Sequence, residues 1–152
     1  LFKGMKGDSF YQFKDLIVPT VRRSLGPGKA DYSIDGFEGQ IHIERKSMED
    51  ACSTILGFGG DVRTRRDRFE DELEFLSSIP VGLIVVECSM DTLLLNAPEW
   101  GKKSKEENRK VMYRQILAWM SDYKARWVFA WNRQAAESAT FRVLDRFYRK
   151  NK

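Results

Sequence analysis

The stretch VGLIVVE, residues 81–87, constrains the fold more than any other part of the chain. It is apolar without interruption up to its final glutamate, which is typical of a central strand covered on both faces. Helices must therefore pack above and below it. Amphipathic helices are predicted at residues 66–77 and 106–123, and Asn132 is a suitable N-cap for one more helix.

The remaining strands set the fold class. Strands are predicted at residues 20–25 and 126–131, and the segments 31–34 and 40–46 are predicted to form a hairpin across the glycine-containing turn DGFEG. Because a hairpin comes first and strands then alternate with helices, we predict an α/β fold, with a mixed central sheet flanked by helices on both faces.

The hairpin gathers polar side chains that can do chemistry. Because side chains alternate between the two faces of a strand, the isoleucines of QIHIERK point to one face, and His42, Glu44 and Lys46 point to the other. If this segment pairs with DYSI, Asp31 approaches Glu44. Ser47 then suits the N-cap of the helix that follows directly.

Two carboxylates held close together without partners repel each other, and a divalent cation removes that cost. The oxygen ligands of Asp31 and Glu44 suit Mg²⁺ or Mn²⁺. Lys46 beside such an ion can orient or help deprotonate a water, or stabilise charge on a phosphate. The alternative is an exposed Glu-x-Lys ion pair of little energetic value, and the spacing alone favours that alternative.

The order of these residues resembles the nuclease core of the XPF-type excision-repair endonucleases, in the PD-(D/E)XK restriction-endonuclease-like superfamily. The signature of that family is G-D-Y, a spacer, E-R-K-S and an aspartate three residues later. Here Asp31 and Tyr32 match D-Y, residues 44–47 match E-R-K-S, and Asp50 matches the last aspartate. RDRFEDELEFL, LIVVECS and the C-terminal helix–strand–helix are similar to small phage and prophage versions, so the resemblance spans about residues 18–149.

The resemblance implies roles for the matching residues. Asp31 and Glu44 would be metal ligands, the main-chain carbonyl of Arg45 a further ligand, and Lys46 the catalytic lysine. The cofactor would be Mg²⁺ or Mn²⁺, and the substrate DNA. Asp50, at the start of a helix, would cap the helix or support the site from outside it.

The chain departs from the family pattern in two places. Ala30 stands where the family has glycine, after an unusual GPGK sequence. The family also carries an earlier D-x-R-E motif on its first strand, which has no counterpart here, and Asp8 lacks the arginine–glutamate context to replace it. We therefore expect residues 1–152 to form a single XPF-type nuclease domain that lacks this first strand.

Arginines next to the glycine-rich GFGGD sequence are candidates for binding DNA phosphates, because a guanidinium fits a phosphate with two hydrogen bonds. The alternative is a solvated loop flank, diluted by neighbouring acids. The predicted DNA-contact residues are Arg45, Arg63, Arg65, Arg66 and Arg68. A second basic loop carries three lysines, for which solubility and DNA contact stay open.

The tryptophans and the single histidine are predicted to pack or to lie near the site rather than to act in catalysis, with base stacking by Trp100 left open. Trp100 lies in the predicted loop 97–108, where stacking on a base and a packing role are both open. The spacing of Trp119, Trp127 and Trp131 predicts that all three belong to the core. His42 shares a face with Glu44, and we interpret it as an incidental neighbour rather than a general base.

The composition limits the classes of protein further. Hydrophobic residues make up 42% and charged residues 32% of the chain, and no apolar run is long enough to span a membrane. The formal net charge of +4 permits a nucleic-acid partner without requiring one. The two cysteines lack metal-type spacing and are predicted to be buried thiols of a cytosolic protein.

The leading hypothesis is a metal-dependent DNA endonuclease of a bacterium or phage, acting in the cytoplasm at the nucleoid on branched or irregular DNA. The second hypothesis is a non-catalytic DNA-binding or scaffold module of the same fold. An interaction domain without nucleic acid ranks last, because it leaves the arginine cluster unexplained. The oligomeric state is open, with a homodimer through the last helices as the candidate.

Overall fold

The structure is a computed structural model that describes residues 2–3, 11, 13, 19–26, 29–57 and 65–152. The elements in chain order are β1 (Phe2–Lys3), β2 (Val21–Arg22), β3 (Tyr32–Ser33), β4 (Ile41–Lys46), α1 (Met48–Leu56), α2 (Arg65–Ser78), β5 (Val81–Val86), α3 (Met90–Leu95), α4 (Lys105–Asp122), β6 (Arg126–Phe129) and α5 (Arg133–Asn151).

The strands form one mixed sheet in the order β2-β1-β3-β4-β5-β6. The predicted hairpin is confirmed, since β3 pairs antiparallel to β4 with Tyr32 opposite Ile43. β5 pairs parallel to both β4 and β6, so the ends of these three strands meet at one edge of the sheet. The apolar run therefore forms an interior strand, as predicted, and the α/β fold class is confirmed.

The two faces of β5 belong to two separate hydrophobic cores. Ile84 and Val86 pack with the first four helices. Leu83 and Val85 pack on the opposite face with α5 and with Tyr11. The alternation of side chains along one strand thus builds a layer of helices on each side of the sheet.

Gly82 fixes how closely α2 approaches the sheet. A β-carbon at this position would overlap the backbone carbonyl of Leu76, so only glycine allows the end of α2 to cross the strand here. This close crossing determines where the side chains of α2 lie relative to β4.

The helix starts follow from local hydrogen bonds. The backbone N–H of Asp50 donates to the Ser47 hydroxyl at 3.2 Å, and the N–H of Ala135 donates to the Asn132 side chain at 2.8 Å, so both predicted N-caps are confirmed. A capping box between Ser104 and Glu107 starts α4 one residue before the predicted boundary.

Some predictions of local structure were wrong. Helix α3 was not predicted, because it has only six residues and its apolar positions are too few to show a helical period. The strand predicted at residues 20–25 is confined to Val21–Arg22. Trp131 was expected in the core but is 80% exposed, because β6 ends at Phe129 and the indole lies beyond the packed part of the sheet.

The other tryptophans and the cysteines behave as expected. Trp119 is 1% exposed, and its ring stacks on Trp127, with the centroids 6.3 Å apart. Cys52 and Cys88 are both free and buried. Among the helices of the described residues, none has the length and apolar character that crossing a membrane requires.

Candidate active site

The hairpin brings the two predicted acidic ligands together. Because Tyr32 lies opposite Ile43, Asp31 reaches the level of the next residues of β4, and its Oδ2 accepts a hydrogen bond from the backbone N–H of Arg45 at 3.0 Å. Asp31 is 9% exposed and Glu44 only 2%. Both carboxylates line the same cleft of about 370 Å³.

Lys46 completes this cluster. Its Nζ lies 3.2 Å from Oε1 of Glu44 and 3.9 Å from Oε2 of Glu72, and the side chain is 14% exposed. Burial by itself would lower the pKa of Lys46, but the charges of Glu44 and Glu72 outweigh it and raise the pKa above its ordinary value. The side chain is therefore an ammonium ion held between two carboxylates.

Glu72 is a member of the cleft that the sequence did not reveal. It lies on α2, three residues after the buried Phe69, and therefore on the helix face that points toward the sheet. A carboxylate at an inward position of an amphipathic helix was the available signal. Asp50 also lines the cleft, from the first turn of α1.

The fold places the arginines of the predicted cluster in different surroundings. Arg65 and Arg68 are exposed side chains of α2 that line the cleft. Arg66 instead donates through Nε to the carbonyl of Ile55 at 3.0 Å, which ties the start of α2 to α1. Arg63 lies outside the described residues.

Arg45 has its guanidinium on the opposite face of the sheet. Its Nη2 lies 2.8 Å from Oε1 of Glu87, and the side chain is 13% exposed. Since its N–H faces Asp31, its carbonyl also faces this side of the strand, whereas the carbonyl of Lys46 faces β5 and accepts from the N–H of Glu87 at 2.9 Å. A ligand role for the Arg45 carbonyl fits this direction, and a DNA contact by its side chain stays a prediction.

His42 lies apart from this chemistry. It is 1% exposed, its Nε2 is 2.6 Å from the carbonyl of Glu38, and its ring meets the edge of Phe75 with centroids 4.8 Å apart. Burial lowers its pKa below the ordinary value. The residue packs as a neutral imidazole in the core, on the face of β4 that meets α2.

The donor set of the cleft is made of oxygen atoms, which suits a hard divalent cation. Within the described residues, no group of three or more His, Cys, Asp or Glu side chains is arranged to hold a metal ion. Asp31 and Glu44 offer two carboxylates, so the further ligands would be the Arg45 carbonyl and water. This composition fits Mg²⁺ or Mn²⁺ better than a metal that requires histidine or cysteine.

The fold can be compared with proteins of known structure. XPF from Aeropyrum pernix superposes with a TM-score of 0.66 at 15% identity, over 99% of this chain and 65% of that one. The chain has the fold of this XPF structure. A second structure, XPF from Aeropyrum pernix in complex with DNA, gives a TM-score of 0.59 at 17% identity, over 91% of this chain and 57% of that one.

The comparison confirms the resemblance to XPF at the level of the fold, and the predicted mixed sheet with helices on both faces. The chain spans 65% and 57% of the lengths of these two XPF structures. No protein-family model matches the sequence, and no curated protein is significantly similar to it. The likeness to the XPF fold is therefore carried by the structure and by the short E-R-K-S centre, at low overall identity.

Proposed function

We propose that this protein is a divalent-metal-dependent endonuclease that hydrolyses phosphodiester bonds in DNA. The observation that carries the proposal is the convergence of Asp31, Glu44 and Lys46 in one open cleft of an XPF-type fold. Such an enzyme would act on bacterial or phage DNA at the nucleoid, during repair, recombination or phage DNA processing.

In this proposal Asp31, Glu44 and the main-chain carbonyl of Arg45 hold Mg²⁺ or Mn²⁺. When bound, the ion would polarise a phosphoryl oxygen and make a water more acidic. Lys46, with Nζ 3.2 Å from Glu44 Oε1, would stabilise negative charge on the phosphate and orient the water. Glu72, with Oε2 3.9 Å from the Lys46 Nζ, is a second carboxylate beside the same ammonium group.

DNA binding would use the arginines at the rim of the same cleft. Arg65 and Arg68 are exposed and line it, so a phosphate next to the scissile bond can meet two guanidinium groups. Contacts of this kind are independent of sequence and weaken with salt. We infer that branched or flapped DNA is the preferred substrate, in line with the family that the E-R-K-S centre resembles.

The decisive experiment compares flapped, forked and linear duplex DNA in the presence of Mg²⁺, Mn²⁺ or EDTA. The variant Glu44→Gln removes one ligand charge while preserving size. Glu106→Gln is a matched control, because that side chain is 74% exposed on α4 and outside the cleft. Cutting that needs a divalent ion and survives only in the control supports the proposal; cutting that persists in Glu44→Gln contradicts it.

A non-catalytic DNA-binding module is the second candidate. It is favoured because no group of three or more His, Cys, Asp or Glu side chains among the described residues is arranged to hold a metal ion. DNA binding at low salt without metal-dependent cutting of any tested substrate would favour this function over the endonuclease.

We also propose that two copies pair through the flank formed by β6 and α4. β6 ends the described sheet, and Trp131 beyond it is 80% exposed. On α4, Tyr113, Leu117 and Met120 recur on one face and are 45%, 44% and 38% exposed. A second copy would cover this apolar stripe and the strand edge together.

Light scattering after size-exclusion chromatography tests this pairing. Leu117→Glu should convert a dimer to a monomer, whereas Leu95→Glu, on α3 and 67% exposed in the native protein, should leave the mass unchanged. A native protein that is monomeric at all tested concentrations would contradict the proposal.

A further inference from the structure

Glu87 is a nearly inaccessible carboxylate on the face of the sheet opposite the cleft. It follows β5 directly, and its side chain is 7% exposed. Three groups converge on it: Arg45 Nη2 at 2.8 Å, the Tyr11 hydroxyl at 2.9 Å and Arg133 Nη1 at 3.4 Å. These three contacts hold the carboxylate in one place, because each hydrogen bond constrains a different direction.

One connection runs from Glu87 through β4 to the cleft. Glu87 holds the side chain of Arg45, and the backbone N–H of the same Arg45 donates to Oδ2 of Asp31 at 3.0 Å. A shift of the Arg45 side chain would tilt its peptide unit, and this would change the hydrogen bond that the Asp31 carboxylate accepts from it.

A second connection runs through β3. The Tyr11 hydroxyl donates to Glu87, the Tyr11 ring stacks on Tyr32 with centroids 5.4 Å apart and an angle of 10°, and the Tyr11 N–H donates to the Tyr32 hydroxyl at 2.9 Å. Tyr32 is the residue next to Asp31. Burial and the charge of Glu87 raise the pKa of Tyr11, so its hydroxyl remains a donor. Glu87 therefore reaches both strands that flank Asp31.

We propose that Glu87 is a positioning residue, which acts across the sheet through Arg45 and Tyr11 to hold Asp31 in the place that a metal ion requires. This inference rests on the proposed metal-dependent function. Its chemical basis is that groups outside the ligand set commonly change metal affinity by about 10–100-fold when they are lost, because they orient the ligands.

A purely structural role for Glu87 makes a different prediction. If it only neutralised Arg45 and Arg133, its loss would lower stability without changing how a folded protein binds a metal. The two roles are separated by measuring Mn²⁺ affinity and the Arg45 amide directly, at a temperature where each variant is folded.

The experiment uses the full chain and Mn²⁺, with the affinity measured by electron paramagnetic resonance. Glu87→Ala should weaken Mn²⁺ binding by about 10-fold. Glu87→Gln keeps an acceptor for Arg45 and should recover part of this loss. Tyr11→Phe, which keeps the ring stack and removes only the hydroxyl, should have a smaller effect. Arg149→Gln is the control that removes the same charge from α5, since its side chain is 72% exposed and pairs with Asp145 rather than with Glu87.

A second readout does not involve metal. In the metal-free protein, hydrogen exchange of the Arg45 amide should be faster in Glu87→Gln than in the native chain, and unchanged in Arg149→Gln. If Glu87→Ala does not fold, Glu87→Gln and Tyr11→Phe still provide both measurements.

The outcomes also separate this inference from the proposed function. Native Mn²⁺ affinity and native Arg45 amide exchange in folded Glu87 variants, while Glu44→Gln loses Mn²⁺ binding, would overturn the positioning role alone. Weakened Mn²⁺ binding in Glu87→Ala, in a protein that cuts no DNA, would support the positioning role and contradict the endonuclease. Absence of Mn²⁺ binding in the native protein would overturn both.

Discussion

Glu44 and Glu87 are both nearly inaccessible carboxylates paired with a cation, yet their surroundings differ. Glu44 is 3.2 Å from the Lys46 ammonium and faces an open cleft, next to the carboxylate of Asp31. Glu87 is closed in by two arginines and a tyrosine hydroxyl on the other face of the sheet. Burial and ion pairing are therefore shared by a candidate ligand and a proposed positioning residue, and the cleft with a second carboxylate beside Glu44 separates them.

The difference can be tested first through activity. Glu44→Gln should reduce DNA cleavage by on the order of 10²–10³-fold, because it removes a charge that the transition state depends on. The rate of flap cleavage under single-turnover conditions measures this effect. A reduction of similar size in the exposed-site control Glu106→Gln would show that the assay responds to something other than the cleft.

The effects on stability should have the reverse order, with the larger loss at Glu87 and the smaller loss at Glu44. Glu87→Ala leaves Arg45 buried without its carboxylate partner and should lower the free energy of unfolding by about 3 kcal/mol, whereas Glu44→Gln should change it less. Urea denaturation followed by tryptophan fluorescence measures both values. Equal losses of unfolding free energy in the two variants would remove the distinction between Glu44, which lines the cleft, and Glu87, which is enclosed by its partners.

Loss of the arginines at the cleft should have a smaller effect than loss of either carboxylate. Replacing Arg65 and Arg68 by alanine should weaken DNA binding by about 10-fold and reduce the salt dependence of log K by about 2, because two phosphate contacts are lost. Arg142 and Arg146, exposed on α5 across the sheet, form the matched pair for the control. Equal weakening by both double variants would indicate an effect of net charge rather than of the cleft.

The smallest expected effect concerns His42, which lies on the same face of β4 as Glu44 but inside the core. Burial lowers its pKa, with Lys29 acting in the same direction and Glu38 opposing. Since the unfolded chain then binds a proton more readily, stability should fall as the pH drops below the ordinary histidine pKa of about 6.5. The difference in urea midpoint between the native chain and His42→Gln, measured from pH 7.5 to 5, checks the sign. A difference that does not vary with pH would contradict this assignment.

Much of the fold could be predicted because its signals are local. The apolar run of β5, the alternation in β4, and the N-caps at Ser47 and Asn132 all involve residues close in sequence. The meeting of Asp31 and Glu44 also followed, because a short turn leaves few registers in which the two strands can pair.

The role of a side chain was harder to predict when its partner is distant in the chain. Arg66 belongs to the same basic stretch as Arg65 and Arg68, yet it caps the carbonyl of Ile55 instead of lining the cleft. Trp131 continues the alternation of Trp127 but is exposed, because the packed part of β6 has already ended.

The amino-acid sequence by itself determined the interior strand β5, the N-caps at Ser47 and Asn132, and the hairpin that carries Asp31, Glu44 and Lys46, since propensity, alternation and capping act over a few residues. Only the tertiary structure decided that Glu72 shares Lys46 and that Glu87 gathers Arg45, Tyr11 and Arg133. These contacts join segments far apart in the chain, and their geometry depends on how helices cross the sheet, which packing sets and local patterns do not encode.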